Sequence, residues 1–167
     1  AFENLISTAE RRMLINGEDN TCLRMSDFIG IIAAINGKVE LVYEGEQVGA
    51  EQISLHLINK AVKTLFPEYF PKIEKLEHKD QQGPYDGLLD WFYNDNSLFI
   101  EDSLSSDVYQ DTLTSIPHIE SIVEVNQKSL NKEEKYFMME FLLWGLEVNK
   151  KLNKYRTIEG FQFKDGL

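Results

Sequence analysis

The run YFMMEFLLWGL, residues 136–146, constrains this chain more than any other stretch. Asn131 followed three residues later by Glu134 is a capping-box pattern, so a long helix is expected to start there. From residue 136 onward that helix is apolar almost all round. Such a helix is either central to a core or docked on something else. The core reading is favoured, and the rest of the chain then has to wrap it.

The candidate wrappers are also helical in pattern. Phe2, Leu5, Ile6, Ala9, Met13 and Leu14 recur at spacings of three and four, and Asn16-Gly17 supplies a stop. An extended connection over 21–25 leads to Ser26 as an N-cap, Asp27 in the first turn, and an apolar helix through Phe28, Ile29, Ile31, Ile32 and Ile35. Asn36-Gly37 interrupts it. The run KVELVY then alternates like a strand, but it has no hairpin partner nearby, so helix to about Val42 is expected. An acidic loop over 43–49, YEGEQVG, precedes a helix over 50–66 with the stripe Ile53, Leu57, Ile58, Ala61, Val62 and Leu65. Pro67 and Pro71 are expected to end it.

Residues 72–83 read as a linker or mobile loop closed by Gly83-Pro84. Beyond it come a short helix over 85–93, a turn-rich connection over 94–102, and a helix capped by Ser105 or Ser106 and bearing Val108, Tyr109 and Leu113. Pro117 suits the first turn of another helix, with Ile119, Ile122 and Val123 inward. Residues 149–154 look like a basic helix end, and the aromatics Phe161 and Phe163 of the tail are expected to pack back. The economical fold class is all-α: a helical bundle over 1–71 and a second helical C-terminal lobe over 84–167.

Chemistry is scarce. A charge of −11 and a pI near 4.7 argue against a phosphate-binding surface, so no nucleic-acid partner is expected. The lone Cys22 fits a reducing compartment. No apolar run is long enough to span a bilayer and no signal pattern opens the chain, so a cytoplasmic location without a membrane is expected. The chain starts at Ala1 directly in a helical pattern, which suggests a piece of a longer polypeptide. Phosphate loops, dinucleotide fingerprints, HExxH and GxSxG are absent from the sequence. His56, His78 and His118 are scattered, with His56 expected as a partly buried imidazole beside the apolar stripe. Glu44 and Glu46 could act as paired carboxylates, but they share one loop and read better as solvated acids. Arg11 and Arg12 could meet a phosphate or an acidic partner, and read better as solvated charges near a helix C-terminus. No catalytic, cofactor-binding or metal residue is expected in this chain.

The run AERRMLINGEDNTCLRMSDF, followed by GKVELVYEGEQVGAEQISLHLINKAV, resembles the small helical lid of MoxR and magnesium-chelatase-type AAA+ ATPases. The resemblance covers about residues 1–66, with Ala9 to Gly17 matching a first helix end, Met25 to Phe28 the next cap, and Tyr43-Glu44 the loop signature. Where family members commonly carry Arg-His-Arg before the loop, this chain has Asn36-Gly37-Lys38, which resembles the chelatase-like branch. The stretch from about Pro84 onward looks like that branch's C-terminal extension.

The resemblance implies a non-catalytic lid and extension of a parent that hydrolyses ATP with Mg²⁺. Its partners would be the remainder of its own ATPase module in a homo-oligomeric ring, and a client protein. Arg11, Arg12, Tyr43, Glu44 and Glu46 are then the contact candidates. The chain alone is expected neither to bind nor to turn over ATP. A freestanding helical interaction module, docking through residues 136–146, is the alternative.

Overall fold

The computed structural model describes residues 1–35, 43–73 and 83–166, with the backbone alone for residues 43–48 and 50. Helix α7, Lys132–Val148, is the axis of the molecule. Asn131 and Glu134 close the expected capping box, each side chain accepting the other's backbone N–H, at 2.8 and 2.9 Å. Every residue from Met138 to Leu146 is buried. With no free face left on this segment, it is core.

Helix α1, Phe2–Asn16, ends on Gly17 in the left-handed conformation, as expected. Next comes a 3-10 helix, Met25–Ile31, running into the short α2, Ile32–Ile35. Its cap is Arg24 and not Ser26: Asp27 accepts the Arg24 N–H, and Ser26 is buried inside the turn. The expected helix or strand over residues 36–42 lies outside the described residues. Helix α3, Tyr43–Tyr69, has non-helical geometry only at Gly49 (φ 80°, ψ 153°), so the backbone expected as an acidic loop is helical up to that break. Pro67 sits within the last turn instead of ending the helix, which stops two residues later at Tyr69, ahead of Pro71.

One face of α3 lies on α7. Phe66, Phe70 and Phe141 stack there, with Phe137 and Tyr85 completing the aromatic cluster. The buried face of α3 is Ser54, Ile58, Val62 and Phe66, so Leu57 and Leu65 from the expected stripe face outward. Helix α4, Asp86–Tyr93, packs beside the sheet, and α5, Ser106–Thr114, and α6, Ile119–Asn126, close over α7, with Leu88, Phe92, Leu113, Ile119 and Val123 fully buried. Ser105 is the α5 cap. One hydrophobic cluster includes Met25, Val62 and Phe66 together with Ile100, Leu142 and Phe163.

The all-α expectation is wrong. Strands β1, Leu98–Glu101, β2, Leu152–Arg156, and β3, Gly160–Asp165, form an antiparallel sheet in the order β1-β3-β2. Residues 149–154 are therefore a turn and the start of β2, not a helix end, and β1 occupies the expected turn-rich connection. The β2–β3 hairpin turns through 157–160, where Thr157 N–H donates to the Gly160 carbonyl at 2.9 Å. Leu98, Ile100, Phe161 and Phe163 alternate onto α7, and Phe99, Gln162 and Tyr155 form a row on the opposite face. Strands this short show little periodicity, and β1 meets β3 only after the whole α5–α7 segment has folded between them. No helix among the described residues is long and apolar enough to cross a membrane.

Candidate functional site

Two arrangements stand out among the described residues: a buried charge network under α1, and a groove beside the sheet.

The network starts at Arg12. On a helix stripe set by residues 5 and 9, position 12 points inward, and the guanidinium is buried (3% exposed). It donates to Asp27 Oδ2 at 2.8 Å, to the Cys22 carbonyl at 2.9 Å and to Thr21 Oγ1 at 3.1 Å. The expected solvated reading thus fails for Arg12 and applies to Arg11, which is exposed. Asp27 Oδ2 also accepts the Arg24 N–H at 2.8 Å. Arg24 lies flat on Tyr109, 4.0 Å from the ring centre, and donates to the Leu104 carbonyl. Glu140, wholly buried on α7, accepts the Met25 N–H at 2.9 Å and the Tyr109 hydroxyl at 2.7 Å.

Burial dominates the titration of these groups. It raises the Glu140 carboxyl, opposed by the Tyr109 and Met25 hydrogen bonds. It pushes Tyr109 well above its ordinary value, and the adjacent Glu140 adds to that. It lowers Arg24, helped by Arg12. Taking such ions out of water costs several kcal/mol each, and only complete pairing offsets it. Pairing here is incomplete: Arg12 Nε, Arg24 Nε and Nη2, and Glu140 Oε1 are buried with no hydrogen-bond partner among the described residues, so the network fixes geometry more than it adds stability. Three further bonds extend the same junction: Asn16 donates to the Ser103 carbonyl, and the Ser106 hydroxyl and N–H donate to the Glu18 carboxylate.

The groove, about 770 Å³, lies between α3 and β2. Ile53, His56, Leu57 and Asn59 form one wall, Lys154, Tyr155 and Arg156 the other, with Glu147 and Phe161 at the base. Lys154 and Arg156 occupy inward β2 positions where apolar residues would be expected. The Lys154 ammonium sits 3.3 Å from the centre of the Trp144 ring, 3.0 Å from Asn59 Oδ1 and 3.1 Å from Glu147 Oε2. Burial lowers its pKa from 10.5 to about 8 against the pull of Glu147. Arg156 pairs two-pronged with Asp102 at 2.7 and 3.0 Å and covers Phe161.

Of the contact candidates, Arg12 is in the network and Arg11 faces solvent. The side chains of Tyr43, Glu44 and Glu46 lie outside the described residues. His56, expected to be partly buried, is exposed on the groove wall. His118 is exposed at the start of α6 with positive φ, and His78 lies outside the described residues. Among the described residues no group of three or more His, Cys, Asp or Glu converges for a metal ion. Sequence reasoning missed Arg24, Glu140 and Lys154. Only Glu140 carried a local signal: it is the one acid inside an otherwise apolar run.

No protein-family model, curated protein or solved structure matches the chain.

Proposed function

We propose that this chain is a rigid transmission body: the C-terminal, non-catalytic lid and extension of a MoxR or magnesium-chelatase-like AAA+ ATPase. The supporting observation is the buried Arg12–Asp27–Arg24 array, continued by Tyr109 and Glu140. It ties α1 and the 3-10 helix to α5 and α7. A displacement delivered to α1 cannot be absorbed locally, because each of these charges would lose a partner in a dry interior. Bistable machines need such bodies, since packed cores move as units instead of deforming continuously. The lid-like order of residues 1–66 supports the family, and the parent would supply ATP hydrolysis with Mg²⁺, the ring and the client.

The reading frame upstream of Ala1 tests this. A GxxxxGK[ST] phosphate loop encoded on the order of 200 residues earlier supports the proposal. A frame lacking one overturns it. In a parent that has one, Arg12→Ala should slow ATP turnover while leaving nucleotide affinity unchanged.

A further inference from the structure

The Lys154 side chain is only 6% exposed, yet it belongs to the lining of the groove between α3 and β2. Both polar partners of its nitrogen, Asn59 Oδ1 at 3.0 Å and Glu147 Oε2 at 3.1 Å, come from residues of the same lining. The nitrogen therefore stands at the groove wall, with the Trp144 ring behind it. Ile53, Leu57 and Phe161 add apolar surface to that lining. Charge is balanced locally, since Lys154 pairs with Glu147 and Arg156 with Asp102, so the groove suits an uncharged guest. An amine, a carboxylate placed to carry its proton, and apolar walls make a nucleophilic site. Burial brings the Lys154 pKa down to about 8, against the opposing pull of Glu147 and Glu140. At pH 7 roughly one molecule in ten then carries the free amine, against roughly one in three thousand for an ordinary lysine.

We propose that this groove binds a small uncharged aldehyde or ketone with an apolar body, which Lys154 captures reversibly as an imine. The step balances without an oxidant or a reductant. The Lys154 ammonium passes one proton to Glu147, and the free amine attacks the carbonyl carbon. A C–N bond forms, the carbonyl π pair moves to oxygen, and a proton shifts from nitrogen to that oxygen to give a carbinolamine. Glu147 returns its proton to the hydroxyl, the C–O bond breaks and water leaves. An ammonium and a carbonyl have become an iminium and water, so the charge at the site is unchanged. That conservation favours imine formation over acylation. An iminium still pairs with Glu147 and still lies on the Trp144 face, whereas a neutral amide would strand a carboxylate that is itself mostly buried. The proposal concerns the 167-residue chain itself and is independent of the ATPase reading.

The competing role for Lys154 is structural, as a cation held in place by Asn59, Glu147 and Trp144. Reductive labelling of the whole chain with sodium cyanoborohydride, mapped by peptide mass spectrometry, separates the two. Hexanal probes the groove and the amine together, and formaldehyde probes the amine alone. At pH 7 hexanal should label Lys154 about tenfold faster than Lys60 and Lys63, which are exposed on α3. Leu57→Gln changes a half-exposed wall residue and should leave the far-ultraviolet dichroism as it is. It should slow hexanal labelling of Lys154 about tenfold, by loss of apolar contact, and leave formaldehyde labelling unchanged. Hexanal labelling of Lys154 no faster than that of Lys60 and Lys63 overturns the proposal and leaves the amine a structural cation. Hexanal labelling indifferent to Leu57→Gln also overturns it, as does an equal loss of both labels.

Discussion

The Tyr109 hydroxyl donates to the Glu140 carboxylate at 2.7 Å, joining α5 to α7 inside the core. The same carboxylate accepts the backbone N–H of Met25, so one acid on the central helix organises two elements distant in sequence. Tyr109→Phe removes one donor and leaves the charge dry. It should lower unfolding free energy by about 1–3 kcal/mol in urea titrations at neutral pH. A loss within error would show that the hydroxyl is dispensable.

Glu140 should make stability depend on pH. Its carboxyl is raised by burial above the ordinary 4.5, so the folded chain holds that proton more tightly than the unfolded one. The contribution is complete below the unfolded value and is lost as pH rises through the folded value. Denaturant titrations across this window should show the wild type losing stability relative to Glu140→Gln as pH increases. The opposite slope would mean that the hydrogen bonds from Tyr109 and Met25 outweigh burial.

Lys154 acts with the opposite sign. Its pKa falls from 10.5 to about 8, so between these values the unfolded chain binds the proton more tightly and stability rises with pH. The full shift corresponds to at most about 3 kcal/mol. Lys154→Met should flatten this rise when compared with wild type from pH 8 upward. The difference is best read below the region where the raised tyrosines Tyr85 and Tyr109 begin to oppose it.

The pair Arg12–Asp27 should behave as a unit. Arg12→Ala or Asp27→Ala strands a buried charge and should cost about 3–5 kcal/mol. The double variant should cost clearly less than the two losses added together. Arg11→Ala, one residue away and exposed, should change stability by no more than about 0.5 kcal/mol. Equal effects at positions 11 and 12 would contradict the burial of Arg12.

Gly145 separates packing from propensity. Alanine is the better helix former by about 1 kcal/mol. Yet a Cβ at this position would stand 1.9 Å from the Phe66 ring. Gly145→Ala should therefore destabilise by about 1–3 kcal/mol despite the propensity gain, as measured by thermal or urea unfolding. A stabilised variant would mean that Phe66 can leave its place without loss.

The sequence by itself determined the helices with strong local signals. Asn131 and Glu134 start α7, Gly17 ends α1, Ser105 or Ser106 caps α5, and the run at 136–146 reads as core in preference to a docking face. Each depends on residues within a turn or two of one another, so the physics is local. Tertiary structure alone decided the sheet and both candidate sites. Leu98 and Phe163 pair only once α7 has brought them together. Arg12 is buried only because Asp27 is waiting, and the α3 stripe turned Leu57 outward because Phe66 met Gly145. Lys154 sits inside because Trp144, Asn59 and Glu147 converge on it from two helices. These are balances of desolvation against partners supplied from elsewhere in the chain, and no window of neighbouring residues contains both sides of that balance.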